Sequence, residues 1–450
     1  MSDCDSPLLT IAIGASAGGL EACRKLLGVL PSGHGMAFIL VQHLDPTHDS
    51  MMVELLAGHT AMTVLQAVEG MGIEPDHLYL IPPGQSLSAG GGALHLSPPQ
   101  ARHGTRLPFD FLLRSLAQEY GPRAACIILS GTGADGSQGV LAIKQKSGLV
   151  IAQSPDEAGY ADMPRNAIRT GAVDLVLPVA DMAAALDQYI KRLEQSPATE
   201  ATAPPPPQVG DRLAEIIDLL RATVHDFTSY KHGTLQRRIE RRMALAAIEA
   251  CDIDRYIALL KSGDGDELEL LAKDLLINVT SFFRDPKVFD TLARTLIPQL
   301  VGAQTPPEAL RLWVAGCSTG EEAYSRAKLF CEEISRRQRN VKLKVFASDV
   351  DADAIAVARE GLYPDSITAE VSPERLARFF IKDGDGYRVS PELRAMVVFT
   401  IQDILSDPPF SRLDLVSCRN LLIYLRPEAQ AKAISVFHFA LRPGGILVLG

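Results

Sequence analysis

An apolar stretch that runs into a glycine-rich turn near the start of the chain limits the possible folds most strongly. The run from Leu8 to Ile13 predicts a buried strand, and a helix is predicted to begin near Gly19. The turn between them fits the Gly-x-Ser-x-Gly pattern, in which glycines permit a sharp bend that lifts the Ser16 hydroxyl off the strand end. Ser16 is therefore a candidate nucleophile. The alternative is a turn whose amides hold a phosphate, although no Gly-Lys-Ser/Thr follows.

Two later strands end near polar residues of the kind that a serine nucleophile needs. The apolar run from Met36 to Val41 ends just before His43, and the run from Ala124 to Leu129 leads into a glycine-rich turn with Asp135. In a parallel sheet with right-handed crossovers, the carboxyl ends of the strands meet at one edge. We predict that His43 takes the proton of Ser16 and that Asp135 orients the imidazole. A lone histidine at a strand end is more often structural, so the prediction depends on the three strand ends together.

Four motifs in this region resemble the catalytic domain of the chemotaxis protein-glutamate methylesterases. They are Gly-Ala-Ser-Ala-Gly-Gly, Val-Gln-His-Leu, Leu-Ser-Gly-Thr-Gly-Ala-Asp-Gly and Asp-Met-Pro-Arg-Asn-Ala, between residues 8 and 193. The resemblance implies hydrolysis of a glutamyl methyl ester on a chemoreceptor helix to glutamate and methanol. The family often has other side chains at Ala17 and Thr132, but both are expected to act through backbone N–H groups that stabilise an oxyanion. The resemblance does not extend to the receiver domain of the free-standing esterases.

Composition and charge limit the remaining functions. A chain of 450 residues with 47% hydrophobic residues can form about three domains with large cores. Its formal net charge of -10 argues against a general nucleic-acid binder, and no apolar run reaches membrane-spanning length. We therefore expect no nucleic acid and no direct membrane insertion. The seven cysteines lack the spacing of metal ligands, so we predict no metal, reduced thiols and a cytoplasmic location.

A proline-rich segment divides the chain. Residues 195–210 include four consecutive prolines and no apolar period, which predicts an extended linker after a first domain at 1–194. A helical domain is predicted at 211–300, in which one helix has apolar residues three and four positions apart. Four arginines are expected on the outer face of that helix: Arg237, Arg238, Arg241 and Arg242. They form either a solvated charged face or a docking surface for an acidic partner.

A second unit of strand, turn and helix follows. Leu310 to Ala315 predict a strand, Gly316 to Gly320 a tight turn, and Lys342 to Asp349 a strand that ends in an acid. A glycine turn after one strand and a carboxylate after the next are typical of a site that binds an adenosine ribose. Because Glu321 and Glu322 at the helix start would repel a pyrophosphate, a cationic sulfonium cofactor fits better. Spacing alone leaves an ordinary NAD-type fold open.

Motifs in residues 211–450 resemble the S-adenosylmethionine-dependent chemoreceptor glutamate methyltransferases. They are Asn-Val-Thr-Ser-Phe-Phe-Arg-Asp, Gly-Cys-Ser-Thr-Gly-Glu-Glu-Ala-Tyr-Ser, Phe-Ala-Ser-Asp and Cys-Arg-Asn-Leu-Leu-Ile-Tyr. The resemblance implies S-adenosyl-L-methionine as the cofactor of a methyltransferase domain at 301–450, and it favours a basic helix that faces the receptor. It implies that seven residues contact the cofactor: Asn278, Thr280, Arg284, Glu322, Asp349, Asp403 and Asn420. Ala323 and Arg326 depart from the proline and the apolar residue that are usual in the family.

The expected fold class is α/β, with two doubly wound, mostly parallel α/β domains and a small helical domain before the second. A small antiparallel β-subdomain, from Gly361 to about Met396, is expected as an insertion; in some family members it grips a receptor tail peptide. The sequence ends at Gly450 within a predicted strand region. We expect a methyltransferase domain truncated at its C-terminus, with a sensory or kinase region beyond it.

These patterns favour a bifunctional enzyme that methylates receptor glutamates and hydrolyses the resulting esters. Its partners would be chemoreceptor cytoplasmic helices or a similar methyl-accepting protein. Two alternatives stay open. One is a non-catalytic receptor-binding scaffold that retains both folds, and the other is a general serine esterase joined to an unrelated methyltransferase.

Overall fold

Two compact units make up the described chain in the computed structural model. The description covers residues 8–30, 33–42, 51–99, 101–102, 105–195, 209–210, 212–223, 225–246, 248–249, 252–263, 266–276, 278–304, 308–384 and 386–450. The first unit consists mainly of the chain before residue 205 and the second mainly of the chain after residue 208. His43 lies outside the described residues. Within these ranges, no helix is both long enough and apolar enough to cross a membrane.

The first unit is an α/β fold. Its strands are β1 (Thr10–Ala15), β2 (Ala37–Gln42), β3 (Thr63–Gln66), β4 (Met71–Gly72), β5 (His77–Leu80), β6 (Ser86–Gly90), β7 (Ala93–Ser97), β8 (Ala101–Arg102), β9 (Thr105–Arg106), β10 (Ala124–Ile128), β11 (Leu149–Gln153) and β12 (Leu175–Leu177). Its helices are α1 (Gly19–Val29), α2 (Met52–Ala57), α3 (Pro108–Tyr120), α4 (Gly139–Gln145), α5 (Asp162–Arg169) and α6 (Val179–Gln195). In the described ranges, the main sheet has the parallel strand order β12-β11-β10-β1-β2-β5-β3.

The complete burial of the central strands explains why the sequence pattern predicted them. Every residue of β1 and of β10 is buried. Such continuous apolar runs are typical of parallel strands that are covered on both faces. Strand β1 lies between β10 and β2, with Gly14 opposite Ile128 and Ala15 opposite Gln42. The carboxyl ends of the three strands therefore meet at one edge, as expected.

The second unit combines a helical segment with another α/β sheet. The helices are α7 (Leu213–Thr223), α8 (His232–Leu245), α9 (Ile253–Ser262), α10 (Glu267–Leu275), α11 (Pro286–Thr291), α12 (Ile297–Ala303), α13 (Glu321–Arg336), α14 (Ala352–Glu360), α15 (Pro373–Phe379), α16 (Pro391–Arg394) and α17 (Pro427–Ala440). The strands are β13 (Leu310–Ala315), β14 (Leu343–Asp349), β15 (Leu362–Pro364), β16 (Phe380–Asp383), β17 (Gly386–Val389), β18 (Val397–Ile401), β19 (Leu413–Cys418) and β20 (Leu441–Leu449).

The main sheet of this unit has the parallel order β18-β14-β13-β19-β20. A separate small sheet has the order β15-β17-β16, and its β16 and β17 form an antiparallel hairpin. The hairpin lies within the insertion that the sequence predicted. The predicted fold class is therefore confirmed: two mostly parallel α/β folds, a helical segment before the second, and a small antiparallel insertion within it.

Helix α8 has the predicted apolar face. Leu235, Ile239 and Met243 are each at most 1% exposed. Their spacing of four residues places them on one side of the helix, which packs inward. Arg237 is exposed on another side. These positions agree with the amphipathic pattern.

The expectation that all four arginines of α8 lie on the outer face is wrong for three of them. Arg238 and Arg241 are buried, and Arg242 is nearly so. Arg241 Nη1 donates to both carboxylate oxygens of Asp274, at 3.1 and 2.8 Å, and Arg238 donates to the Asp274 carbonyl. Arg242 donates to both carboxylate oxygens of Glu267, at 3.0 and 2.5 Å. The physical reason is that α10 packs against α8 and supplies buried partners for these cations, which apolar periodicity does not reveal.

Candidate active sites

Ser16 directly follows β1, on a turn that the end of the neighbouring strand β10 holds in place. The Ser16 amide donates to the Ser130 carbonyl at 3.1 Å. The Ser130 hydroxyl donates to the Ala17 carbonyl at 3.0 Å, and the Ser130 amide donates to Gln153 Oε1 at 2.8 Å. Because Ser130 lies just beyond β10, these bonds join the two strand ends. These hydrogen bonds from the neighbouring strand end thus hold the turn that carries the candidate nucleophile in place.

The two turns approach so closely that only glycine fits at position 131. A Cβ on Gly131 would lie 2.9 Å from Ser16 Cβ and 2.2 Å from Met163 Sδ. The Gly131 carbonyl accepts from the Met163 amide at 3.0 Å, which fixes this contact. The main chain of the β10 turn consequently lies beside the candidate nucleophile.

Two main-chain amides at this edge have the character of oxyanion donors. The amides of Ala17 and Thr132, on the two facing turns, donate no hydrogen bond within the described part of the chain. Amides that are preorganised and unpaired next to a nucleophile can stabilise negative charge on a tetrahedral intermediate. The sequence analysis predicted these two amides as oxyanion donors, and their catalytic role stays a prediction.

Asp135 is buried, and the start of α3 holds its carboxylate. Its Oδ2 accepts from the Phe109 amide and its Oδ1 from the Asp110 amide, each at 2.9 Å. Asp110 is also buried, and its Oδ1 accepts from two amides at the start of α4. Burial, followed by the charge of Asp135, raises the pKa of Asp110 to about 7. Since His43 lies outside the described residues, the arrangement of Ser16, His43 and Asp135 as a triad stays a prediction.

The second site is built on the turn between β13 and α13. Gly320 has a φ of 96°, and a Cβ there would lie 2.9 Å from Ala358 Cβ, so this position requires glycine. The Ser318 amide donates to Asp349 Oδ2 at 2.8 Å, and the Asp351 amide donates to Asp349 Oδ1 at 3.1 Å. Asp349 therefore joins the turn after β13 to the end of β14. Burial raises its pKa, which these amides partly offset.

Glu322, at the start of α13, is held by two arginines and a serine. Its Oε1 accepts from Arg326 Nε at 2.9 Å, from Arg326 Nη2 at 2.7 Å and from the Ser417 hydroxyl at 2.6 Å. Arg419 Nη1 lies 4.0 Å from Oε2. Burial raises the pKa of Glu322, but Arg326, Ser417 and Arg419 together hold it below its ordinary value. Arg326 is thus one of the partners that lower the pKa of this carboxylate.

The segment between α10 and α11 closes one side of the same site. Asn278 donates to the Asp351 carboxylate, and its Oδ1 accepts from the Ser318 hydroxyl at 3.4 Å. Arg284 Nη1 donates to the Val279 carbonyl at 2.6 Å. These bonds connect the segment to the turn that follows β13.

The seven predicted cofactor residues come together around two adjoining cavities. Asp403 lines the cavity that lies beyond β18, and the remaining six residues line the other cavity. Those six are Asn278, Thr280, Arg284, Glu322, Asp349 and Asn420. The two cavities share Tyr230, Gly316 and Asp349 in their walls. The arrangement is that of one elongated site, and the individual contacts with a cofactor stay predictions.

Sequence reasoning missed several residues that line this site, among them Tyr230, Arg419 and Tyr424. Arg419 and Tyr424 belong to the quoted Cys-Arg-Asn-Leu-Leu-Ile-Tyr motif, so their place after β19 could have indicated them. Tyr230 has no such signal. Tyr230 lies in this site because the chain around it pairs with the chain after β19. In this pairing, the Lys231 amide donates to the Tyr424 carbonyl at 2.9 Å.

The chemistry of this site fits S-adenosylmethionine. Asp349 and Asp403 lie beyond the ends of two neighbouring strands, where carboxylates can accept from ribose hydroxyls. The ionised Glu322 suits an ammonium or sulfonium group. Gln402 Oε1, in the wall of the second cavity, is buried and has no hydrogen-bond partner among the described residues. A buried acceptor of this kind suits the amino group of an adenine.

Family models match almost the whole chain. One described as CheB methylesterase matches residues 11–186. One described as CheR methyltransferase, all-alpha domain, matches residues 212–276, and one described as CheR methyltransferase, SAM binding domain, matches residues 278–450. The first match contains Ser16, and the last contains all seven predicted cofactor residues.

Similar proteins fall into the same two groups. The chain is 31% identical to the chemotaxis protein methyltransferase of Listeria innocua, over 50% of this chain and 82% of that protein. It is 33% identical to the protein-glutamate methylesterase FrzG of Myxococcus xanthus, over 41% of this chain and 55% of that protein. Among solved structures, it resembles the CheB methylesterase catalytic domain of Thermotoga maritima, at 27% identity over 40% of this chain and 98% of that one, with a TM-score of 0.38.

One relative matches most of this chain, across both halves. It is an uncharacterized 104.1 kDa protein of Rhodobacter capsulatus, 40% identical over 421 residues. The match covers 89% of this chain and 44% of that protein. The chain therefore spans less than half the length of this relative.

Proposed function

Because the chain belongs to the CheR methyltransferase family and also carries a CheB methylesterase domain, we propose that it both forms and hydrolyses glutamyl methyl esters on a methyl-accepting protein. Its cofactor is S-adenosyl-L-methionine, through the SAM-binding domain at residues 278–450. The observation that carries the proposal is that one chain holds both a serine on a strand-to-helix turn and a carboxylate-lined site between β13, β14 and β18. Chemoreceptor cytoplasmic helices, reached from the cytoplasm, are the proposed substrate.

In the proposed esterase reaction, the Ser16 oxygen attacks the ester carbonyl carbon while His43 takes the hydroxyl proton. Asp135, held by two amides of α3, orients the imidazole. The amides of Ala17 and Thr132 stabilise the oxyanion, and the absence of other hydrogen-bond partners for them among the described residues supports this role. His43 then gives this proton to the methoxide oxygen as its bond to the carbonyl carbon breaks, and methanol leaves. A water molecule, deprotonated by His43, hydrolyses the acyl-enzyme and leaves a free glutamate.

The proposed methyl transfer depends on positioning more than on a base. When bound, the cofactor supplies an activated methyl group on a cationic sulfonium. Glu322 and Asp349 are proposed to hold and orient it, which their fixed carboxylates support. The substrate glutamate is already ionised at neutral pH and needs no deprotonation. We propose that Arg284 steers this carboxylate into line, because its guanidinium lines the same cavity.

The docking role of α8 is proposed in a narrower form than the sequence suggested. Of its four arginines, Arg237 is exposed and so is available to an acidic receptor surface. Arg238, Arg241 and Arg242 bond to residues of α10 and contribute to the position and rigidity of the helix. Exchange of Arg237 for alanine should lower receptor affinity without loss of cofactor binding, measured by calorimetry on the full chain.

Two separate reactions test the proposal. For the esterase, a receptor fragment methylated beforehand is incubated with wild type and with Ser16→Ala, and methanol is measured. Release by wild type with a loss of roughly a thousandfold or more in the variant is expected, since a serine nucleophile cannot be replaced by alanine. For the transferase, Asp349→Ala should abolish S-adenosylmethionine binding in calorimetry. Cofactor binding with no methyl transfer and no methanol from any receptor would favour the scaffold instead.

A further inference from the structure

Two buried polar atoms in residues around the Ser16 depression lack hydrogen-bond partners within the described part of the chain. Nε of Arg24 and Oε1 of Gln42 are both shielded from solvent, and neither has a hydrogen-bond partner among the residues that the structure describes. Both side chains line an open depression of about 610 Å³, which also includes Ser16. Buried polar groups in folded proteins are nearly always hydrogen-bonded. Two exceptions in one depression next to a candidate nucleophile indicate a place where a ligand supplies the missing bonds.

The backbone explains why these two side chains flank Ser16. Arg24 lies on α1, little more than one turn after the helix begins at Gly19. Side chains of a helix lean toward its N-terminus, so the Arg24 side chain lies over the turn that precedes the helix. Gln42 is the last residue of β2 and is paired with Ala15, the residue before Ser16. One side chain therefore comes from the helix and the other from the adjacent strand.

The charge of Arg24 has no ion-pair partner among the described residues. Arg24 makes no ion pair with any carboxylate in the described ranges. Glu21 shares the depression, but it is exposed and forms no ion pair with Arg24 there. A guanidinium is well suited to bind a carboxylate through two parallel hydrogen bonds.

We propose that Arg24 forms a carboxylate subsite of the esterase, which binds a free acidic side chain next to the ester in the substrate. Gln42 accepts a hydrogen bond from an amide of the same substrate. The inference rests on the proposed function, because it takes the ester to be a methylated glutamate in a glutamate-bearing segment. In such a segment, an ester whose neighbours are still free carboxylates is the better substrate. The esterase thereby distinguishes partly methylated from fully methylated segments.

The test compares peptides that differ only in the residues around one glutamyl methyl ester. In one set Glu, and in the other Gln, occupies a position within four residues on either side of the ester. For the full wild-type chain, we expect kcat/KM to be roughly ten- to a hundredfold higher for at least one Glu peptide than for its Gln counterpart, as for a charge-assisted bidentate contact. In Arg24→Ala this ratio should fall to about one, and Arg24→Lys should restore part of it.

Lys25→Ala is the matched control. Lys25 is the next residue on α1, is exposed and does not line the depression. Its replacement removes the same charge and should leave the wild-type ratio intact. A wild-type ratio near one for every pair of peptides, or a ratio that Arg24→Ala leaves unchanged, would overturn the inference.

A binding measurement separates this inference from the proposed function. Ser16→Ala cannot turn over the ester, so calorimetry with the Glu and Gln peptides reports binding alone. We expect Ser16→Ala to bind the preferred Glu peptide at least about tenfold more tightly than Ser16→Ala/Arg24→Ala does. If wild type hydrolyses no peptide, the esterase proposal fails, and this comparison still decides the subsite. Equal binding by the two variants rejects the subsite whether or not the esterase is active.

Discussion

Gly131 faces Ser16 across the two turns of the esterase site, with Met163 behind it. An added Cβ would lie 2.2 Å from Met163 Sδ and 2.9 Å from Ser16 Cβ. Met163 is buried and Ser16 Cβ is fixed to the main chain, so part of the strain of Gly131→Ala falls on the turn that carries Ser16. We expect kcat for methanol release to fall by at least about tenfold, with a smaller change in KM, since displacement of a nucleophile by a fraction of an ångström impairs the reaction.

Gly159→Ala is the control for this steric argument. A Cβ on Gly159 would approach nothing nearer than the Ser130 hydroxyl, at 3.7 Å, which is ordinary contact. Esterase activity in this variant should stay close to that of wild type. Equal losses in the two variants would contradict the assignment of the Gly131 effect to its contact with Ser16.

Arg326 is the strongest of the contacts that lower the pKa of Glu322. In the folded protein the pKa of Glu322 is held below its ordinary value, so this contribution to stability is present above the unfolded-state pKa and is lost as the pH falls through the folded-state pKa. In Arg326→Leu the opposing effect of burial prevails and the pKa rises. As the pH is lowered, we expect cofactor affinity, measured by calorimetry over a pH series, to weaken at a higher pH in this variant than in wild type.

Two variants check that assignment. Arg336→Ala removes an arginine that pairs with Glu333 at the exposed end of α13, and it should leave the pH dependence of cofactor binding unchanged. Glu322→Gln/Arg326→Leu removes both charges of the buried pair and should bind the cofactor weakly but with no steep pH dependence. A pH profile for Arg326→Leu parallel to that of wild type would show that Arg326 does not control Glu322.

At the scale of elements, the packing of α8 against α10 depends on buried ion pairs. Asp274→Ala leaves Arg241 buried without its carboxylate, which should lower the free energy of unfolding by about 3–5 kcal/mol. Arg237→Ala, on the exposed side of the same helix, should change it by less than about 0.5 kcal/mol. Urea unfolding of the full chain measures both. Similar values for the two variants would contradict the burial of Arg241.

The strands were predictable from the sequence, whereas the surroundings of the arginines were not. Strands such as β1, β10 and β13 are short, continuous apolar runs that glycine turns terminate, and both signals are local. The burial of Arg238 and Arg241 depends on Asp274, more than 30 residues further along the chain. Helical periodicity identifies the apolar face of α8, but it contains no information about which charged residues a neighbouring helix covers.

At the scale of the whole molecule, most of the second site was predictable because its residues follow successive strand ends. Asp349 ends a predicted strand, Asp403 and Asn420 lie two residues beyond β18 and β19, and parallel sheets bring such strand ends together. Tyr230 could not be predicted to lie among them. It reaches the site through main-chain pairing with a segment almost 200 residues later, which no local pattern reports. Gln42 was missed for a similar reason, because the pairing of β2 with β1 in the folded sheet places it next to Ser16.

The central claim is that one chain forms and removes the same ester, and a single labelling experiment tests it directly. Methyl-labelled S-adenosylmethionine, a receptor cytoplasmic fragment and the full chain are incubated together, and label is followed in the receptor and in methanol. Wild type should give labelled receptor and a steady release of labelled methanol. Ser16→Ala should accumulate labelled receptor and release no methanol, and Asp349→Ala should give neither. Methanol release that persists in Ser16→Ala, or a receptor that stays unlabelled although wild type binds the cofactor, would contradict the account.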